Sequence, residues 1–208
     1  VLAARKAEHK QLGLYDYAPI SDGATTVVLT SANAAKKRTD RPVQVLCNRS
    51  ATDYLNYPAR DDLSHFLAAE LAMKNACEAA KMTPTDFEVV EVYDQSTMME
   101  MVSLEDLGFC KPGTAWRNVQ ESCQSGLNCY EVGDRQVYVN TNGGLKADGN
   151  PLGATGGAQI FEIFRQLRGE AGDRQVKSDN GLPQNGCVLE FEGFGTKAYV
   201  TLLGGVNH

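Results

Sequence analysis

Histidine is nearly absent from this chain: His9, His65 and His208 are the only three in 208 residues. Two of them stand beside the termini, where order is poorest. A Ser-His-Asp or Cys-His nucleophile arrangement therefore has almost no material to work with. Any acid–base chemistry falls to Tyr, Asp, Glu or a thiol. His65 opens a helical stretch, where a surface or capping role is the plain reading. Metal-ligand spacing is missing too. No Cys-x-x-Cys occurs among Cys47, Cys77, Cys110, Cys123, Cys129 and Cys187, and no His lies at ligand distance from them, so no metal site is expected. With no secretory signal in view, the six read as reduced thiols of a cytoplasmic protein, packed as small hydrophobes. No apolar run approaches the ~18–20 residues that span a bilayer. Positive charge is in deficit, with 20 Lys and Arg against 26 Asp and Glu. The one basic run, Lys36-Lys37-Arg38 with Arg41 nearby, reads as a solvated helix end, and nucleic acid is not an expected partner. The first residue is Val1 rather than Met, and the expectation is a fragment or a processed piece.

What is present suits a packed protein: 42% hydrophobic and 22% charged residues match an ordinary globular domain. Residues 1–208 are read as one domain, of which 1–19 are mixed in character. Ser21-Asp22-Gly23 is a turn, and Ala24–Thr30 (ATTVVLT) reads as a buried strand. Ser31 caps a short helix over 32–37. Pro42–Cys47 alternates and reads as a strand, followed by a loop over 48–62. Ser64 caps a helix running to Lys81, and Thr83-Pro84 stops it. Phe87–Val92 (FEVVEV) is a third strand. Ser96 opens a helix through Leu104 that carries Met98, Met99 and Met101 as core filling. Residues 111–136 read as irregular around a short helix near 114–122, and Val137–Asn140 as a short strand. A helix over 155–168 puts Ile160, Ile163, Phe164 and Leu167 on one face. Strands over 186–191 and 197–203 close the chain. Strands alternating with helices, then a strand pair, predict an α/β layered domain with a mixed sheet.

Two segments carry chemistry. Asn140–Gly157 (NTNGGLKADGNPLGATGG) holds six glycines in 18 residues and feeds a helix, exposing backbone N–H groups that suit a phosphate, a carboxylate or a developing oxyanion. It lacks the Gly-Lys-Ser/Thr of a phosphate-binding loop. Tight backbone packing is the alternative explanation of its glycines. Tyr93-Asp94 comes directly after the strand FEVVEV, at the strand end where α/β sites gather. There the alternative is a buried phenol with a bonded hydroxyl and an Asp that caps the next helix.

These segments, in this order, resemble the C-terminal half of the thiolase superfamily, in its sterol-carrier-type and thiolase-like aldolase branch. Ser21-Asp22-Gly23-Ala24 is similar to the family's Asp-Gly-Ala-Ala strand. Glu91-Val92-Tyr93-Asp94-Gln95-Ser96-Thr97 is similar to Glu-x-His-Asp-Cys-Phe-Thr, and Glu105–Phe109 fits the family's next stretch. Asn140–Leu145 through Gly149–Gly156 resembles Asn-Pro-Ser-Gly-Gly…Gly-His-Pro-x-Gly-Ala-Thr-Gly, and Ala198–Leu203 the closing strand. The resemblance implies a βαβαβαββ half with a mixed five-stranded sheet and helices on its faces, with 1–19 as the remnant of a connection from an N-terminal half. It implies acyl transfer or C–C cleavage on coenzyme A thioesters, with the thioester as substrate and no covalently bound cofactor. It also implies a partner: an N-terminal half or second subunit, in a homo- or hetero-oligomer. Asn142, Gly143, Gly144, Gly149 and Gly195 fall on the loops that shape the substrate site.

The departures matter equally. The family's nucleophilic Cys belongs to the other half. Tyr93 stands where the first motif has His, Gln95 where it has Cys, and Asn150 where Gly-His-Pro has His. Asn150 and the Tyr93 hydroxyl still offer donors to an oxyanion, each worth about 2.7–4 kcal/mol of barrier, while Gln95 shuttles no proton. Retro-aldol cleavage of a β-hydroxyacyl thioester fits this set better than thiolysis, with Tyr93, Asn150 and Asp94 as the catalytic candidates. It requires the Tyr93 pKa to fall from ~10, or a short hydrogen bond. A non-catalytic subunit that binds acyl-CoA or scaffolds a complex is the alternative.

Overall fold

A computed structural model of the chain describes residues 12–125, 129–178 and 181–205. His9, His208 and residues 1–11 of the expected connecting segment lie outside the described residues. In chain order the elements are α1 (Ala32–Lys36), β1 (Val43–Thr52), α2 (Leu67–Ala80), β2 (Val89–Val92), α3 (Thr97–Asp106), α4 (Ala115–Ser125), β3 (Cys129–Val132), β4 (Arg135–Val139), α5 (Gly144–Asp148), α6 (Thr155–Arg168), β5 (Asn185–Glu192) and β6 (Lys197–Gly205).

The strands form one mixed sheet ordered β1-β6-β5-β2-β4-β3. The parallel centre is β5-β2-β4, with Val92 paired to Leu189 at its end. Antiparallel pairs flank it, β1 with β6, β6 with β5 and β3 with β4. The pleat sends alternate side chains to opposite layers. Val90, Val92, Leu189 and Phe191 enter a core with α2 and α3 residues Ala72, Met73, Met99 and Leu104, whereas Val89, Val188 and Leu203 meet Ile163 and Leu167 of α6. The sheet is thus covered on both faces, as the α/β reading requires.

The expected five strands are six. The extra strand, β3, lies inside the stretch read as irregular, because CYEV is short and comes after a polar helix. A larger correction concerns 24–30. The apolar run ATTVVLT joins no ladder, and every residue from 22 to 31 is exposed. Its composition is that of a strand, but β-rich sequence makes a strand only where a sheet edge receives it. Ser31 does cap α1, accepting the Ala34 N–H, and Ser96 caps α3, accepting the Met99 N–H. Ser64 does not cap α2: its hydroxyl and N–H both bind the Asp62 carboxylate, and α2 begins at Leu67 after Phe66. Of the methionines on α3, Met99 is core and Met98 is half exposed.

Candidate functional site

β2 ends at Val92 opposite Leu189 of β5, which runs on to Glu192, and the chain leaves β2 through Tyr93 and Asp94. Residues 17–21 lie across this end. Ala18 N–H donates to the Gln95 carbonyl, Asn150 N–H donates to the Pro19 carbonyl, and Ser21 N–H donates to the Asn150 carbonyl. The arm therefore stitches the Tyr-Asp tip to the glycine-rich loop.

Tyr93 and Asn150 meet directly. Asn150 Nδ2 donates to the Tyr93 hydroxyl oxygen at 2.8 Å, with Tyr93 7% and Asn150 1% exposed. The amide is held in that orientation, because its Oδ1 accepts the Leu152 N–H (3.1 Å) and the Thr155 hydroxyl (3.2 Å). The phenol oxygen receives one hydrogen bond, and its own O–H meets no hydrogen-bond acceptor among the described residues. Asn150 thus orients Tyr93 with the N–H that sequence reasoning assigned to an oxyanion. Burial pushes the Tyr93 pKa above the ordinary phenol value; the Asn150 bond opposes this and the Glu190 and Asp94 charges add to it. The fall in pKa that a tyrosinate base requires is not met, and at neutral pH Tyr93 is a donor.

Asp94 caps a helix, but α5 rather than α3: Leu145 N–H donates to its carboxylate at 2.9 Å. Burial raises the Asp94 pKa, opposed by this bond and by an Asn140 side-chain bond. Gly144 is at φ +63° in the left-handed region, and a side chain there would collide with the Asp94 carboxylate. Asn142 ties the loop from within, its Oδ1 accepting the Gly144 N–H and its Nδ2 donating to Asp148. A cavity of about 180 Å³ lies here, lined by Asp94, Asn142, Gly144 and Gly149 among others and roofed by Asp22–Thr25 of the arm. Tyr93, Asn150 and Gly143 stand at its back rather than in its lining. Gly195 is apart from it, in the β5–β6 turn, where its missing side chain admits the Phe66 ring. It reaches the site only through rings, Phe66 on Phe191 and Phe191 edge-on to Tyr93.

Two carboxylates escaped the sequence reading. Glu91 is 2% exposed and lines the cavity, accepting the Thr141 N–H. Burial, then the charges of Glu162 and Asp94, holds its pKa well above the usual range. Glu190 lies near the end of β5, one residue before Phe191, and burial pushes its pKa up to about 8. The signal for both was an acid set between apolar neighbours in a strand, Glu91 in FEVVEV and Glu190 in LEFE. The five described cysteines are free thiols, and none lines the cavity. Cys187 is fully buried in β5, and burial drives its thiol far upward.

A single mixed sheet covered by helices on both faces is the architecture of a thiolase-like fold. Residues 50–205 match the family described as thiolase C-terminal domain-like, and the chain belongs to that family. It is 41% identical over 175 residues to an acetyl-CoA acetyltransferase of Methanothermobacter thermautotrophicus, covering 84% of this chain and 44% of the relative. It is 33% identical over 189 residues to sterol carrier protein 2 of Oryctolagus cuniculus, covering 88% of this chain and 32% of that protein. The chain therefore spans less than half the length of these relatives. Among solved structures it is similar to the Ltp2-ChsH2(DUF35) aldolase, with TM-score 0.67 and 21% identity over 83% of this chain and 42% of that one. Among the described residues, no helix is long and apolar enough to cross a membrane.

Proposed function

We propose that the chain is the C-terminal half of a thiolase-like enzyme that cleaves or forms a C–C bond in acyl-CoA thioesters, and that it works only with an N-terminal half. The observation that carries this is the buried Tyr93–Asn150 hydrogen bond at the end of β2. It leaves a phenolic O–H ready to donate to a thioester carbonyl as negative charge develops there. Retro-aldol cleavage of a β-hydroxyacyl thioester is the reaction favoured, since it needs no acylated cysteine and no thiol acid. Coenzyme A enters as part of the substrate. A cytoplasmic location is part of this reading, supported by the free thiols of the described residues and by the substrate class.

The need for a partner is supported by the arm. Val27, Val28 and Leu29 are 48%, 86% and 76% exposed, and Phe161 of α6 is 55% exposed. Apolar, β-rich sequence with unpaired backbone is a template for another sheet edge. The test is turnover by the assembled protein of acetoacetyl-CoA and of a β-hydroxyacyl-CoA. Cleavage of the hydroxyacyl thioester is expected, with Tyr93→Phe lowering kcat by about 10²-fold or more, the size of one lost oxyanion donor. A second reading, a subunit that binds acyl-CoA without turning it over, draws on the raised Tyr93 pKa. Binding with no turnover of either substrate would establish it.

A further inference from the structure

The glycine-rich loop leaves the sheet at Asn140. β4 ends at Val139, and its parallel ladder with β2 runs one bond further, since Asn140 N–H donates to the Val90 carbonyl at 2.9 Å. In an uninterrupted parallel ladder the Asn140 carbonyl would next accept the Val92 N–H, and the N–H of Asn142 would donate to the Val92 carbonyl. The main chain does otherwise. Asn140 has φ +45°, its carbonyl accepts the Gly143 N–H at 2.8 Å, and the loop begins. The side chain makes both ladder bonds in its place: Oδ1 accepts the Val92 N–H at 2.8 Å, and Nδ2 donates to the Val92 carbonyl at 3.2 Å. The amide thus acts as a surrogate peptide group and adds a rung to the sheet after the backbone has departed.

Few side chains meet these demands. Left-handed backbone excludes most residues other than Gly, Asn and Asp. Of these, Asn alone offers a donor and an acceptor on one planar group. Asn140 is 3% exposed, so its amide depends on these partners rather than on water. The same side chain also bonds the Asp94 carboxylate. It therefore holds the chain on both sides of Tyr93, through Val92 and through Asp94. From its own carbonyl it starts the loop that returns to the phenol, where Asn150 Nδ2 donates to the Tyr93 hydroxyl oxygen.

We propose that Asn140 is the positioning residue of this site: its amide fixes the exit of β2 and its left-handed backbone launches the loop, so that Tyr93 and Asn150 meet where a thioester carbonyl is to be bound. The inference rests on the acyl-CoA reading above. Asn140 itself touches no substrate and moves no proton. Its effect is on placement, and a misplacement of about 1 Å at a reacting group costs about 10²-fold in rate.

The test uses the chain assembled with its N-terminal half and a β-hydroxyacyl-CoA as probe. Asn140→Gly keeps the left-handed backbone and deletes the amide. Asn140→Ala loses both. Asn140→Asp keeps the shape but sets a carboxylate oxygen against the Val92 carbonyl and the Asp94 carboxylate. Each should lose about 10²-fold in kcat with little change in KM. Asn140→Gly should nevertheless melt above Asn140→Ala, because glycine accepts the backbone angle. Rates that simply follow the melting temperatures would overturn the positioning role. In parallel, NMR of the wild-type protein should show the side-chain amides of Asn140 and Asn150 protected from hydrogen exchange, and Asn140→Gly should expose the Asn150 amide. Wild-type turnover with Asn140→Gly within about threefold would overturn the inference and leave the acyl-CoA reading standing. An Asn140 amide that exchanges as fast as a free one in the wild type would overturn it even where the variants fail to fold. Thioester binding with no wild-type turnover would remove the catalytic reading, and the Asn150 amide then decides: exposure in Asn140→Gly upholds the placement, and retained protection overturns it.

Discussion

Tyr93 and Asn150 were both visible in the sequence, as substitutions in two motifs that resemble the thiolase pattern. Their contact was not, since 57 residues separate them and only the parallel pairing of β2 with its neighbours brings the two segments together. The consequence is directional. Asn150→Ala strips the phenol of its hydrogen bond and strands the Thr155 hydroxyl, so it should cost about 1–3 kcal/mol in thermal unfolding as well as activity. Tyr93→Phe should cost less stability, because it orphans one N–H alone. Gly144→Ala should destabilise more than an ordinary Gly→Ala change, since it meets both a left-handed backbone and the Asp94 carboxylate. A melting temperature within a degree or so of wild type would contradict that packing. Glu91 and Glu190 were illegible for a different reason: the cost of burying an acid depends on what faces it, and no spacing rule states that.

Among the elements, α6 was read to its bounds, 155–168, without any side-chain cap, and the helices capped by Ser31 and Ser96 to within about two residues. Ser96→Ala should cost about 1 kcal/mol, because the Ser96 hydroxyl accepts the Met99 N–H at 3.3 Å. The amphipathic pattern of α6 was equally legible, yet only half of its apolar set is core. Ile163 is fully buried, while Phe161 is exposed and Phe164 borders on it. Ile163→Ala should cost about 2–5 kcal/mol, and Phe161→Ala far less in the chain alone. The strand at 24–30 was misplaced because strand propensity records a preference for a pleated, half-buried surface. It does not say which polypeptide supplies that surface. Chemical unfolding of Ile163→Ala and Phe161→Ala, measured side by side, checks the asymmetry.

For the whole molecule, buried acids set the response to pH. Burial raises Asp106 to about 6, Glu100 to about 7 and Glu190 to about 8. A carboxyl whose folded pKa lies above its unfolded value gives stability that is complete below about 4 and lost as pH climbs through the folded value. The assembled protein should therefore melt highest in mild acid and fall by several degrees between pH 5 and about 9, since one pKa unit is about 1.4 kcal/mol and each kcal/mol is worth about 2–4 °C at this size. Glu100→Gln should flatten the middle of that decline, and a melting temperature rising across the window would refute the account. Association is predicted on the same scale. The purified chain should sediment above its 22.6 kDa monomer mass, and Val28→Asp with Leu29→Asp should shift it toward that mass.

The arm that roofs the cavity is fastened on both sides of a single residue, through the N–H and the carbonyl of Asn150. Whatever takes hold of residues 24–30 thus pulls along a backbone that runs straight into the phenol's anchor. If Tyr93 acts as proposed, a partner on the arm is joined to its phenol oxygen through one residue, Asn150.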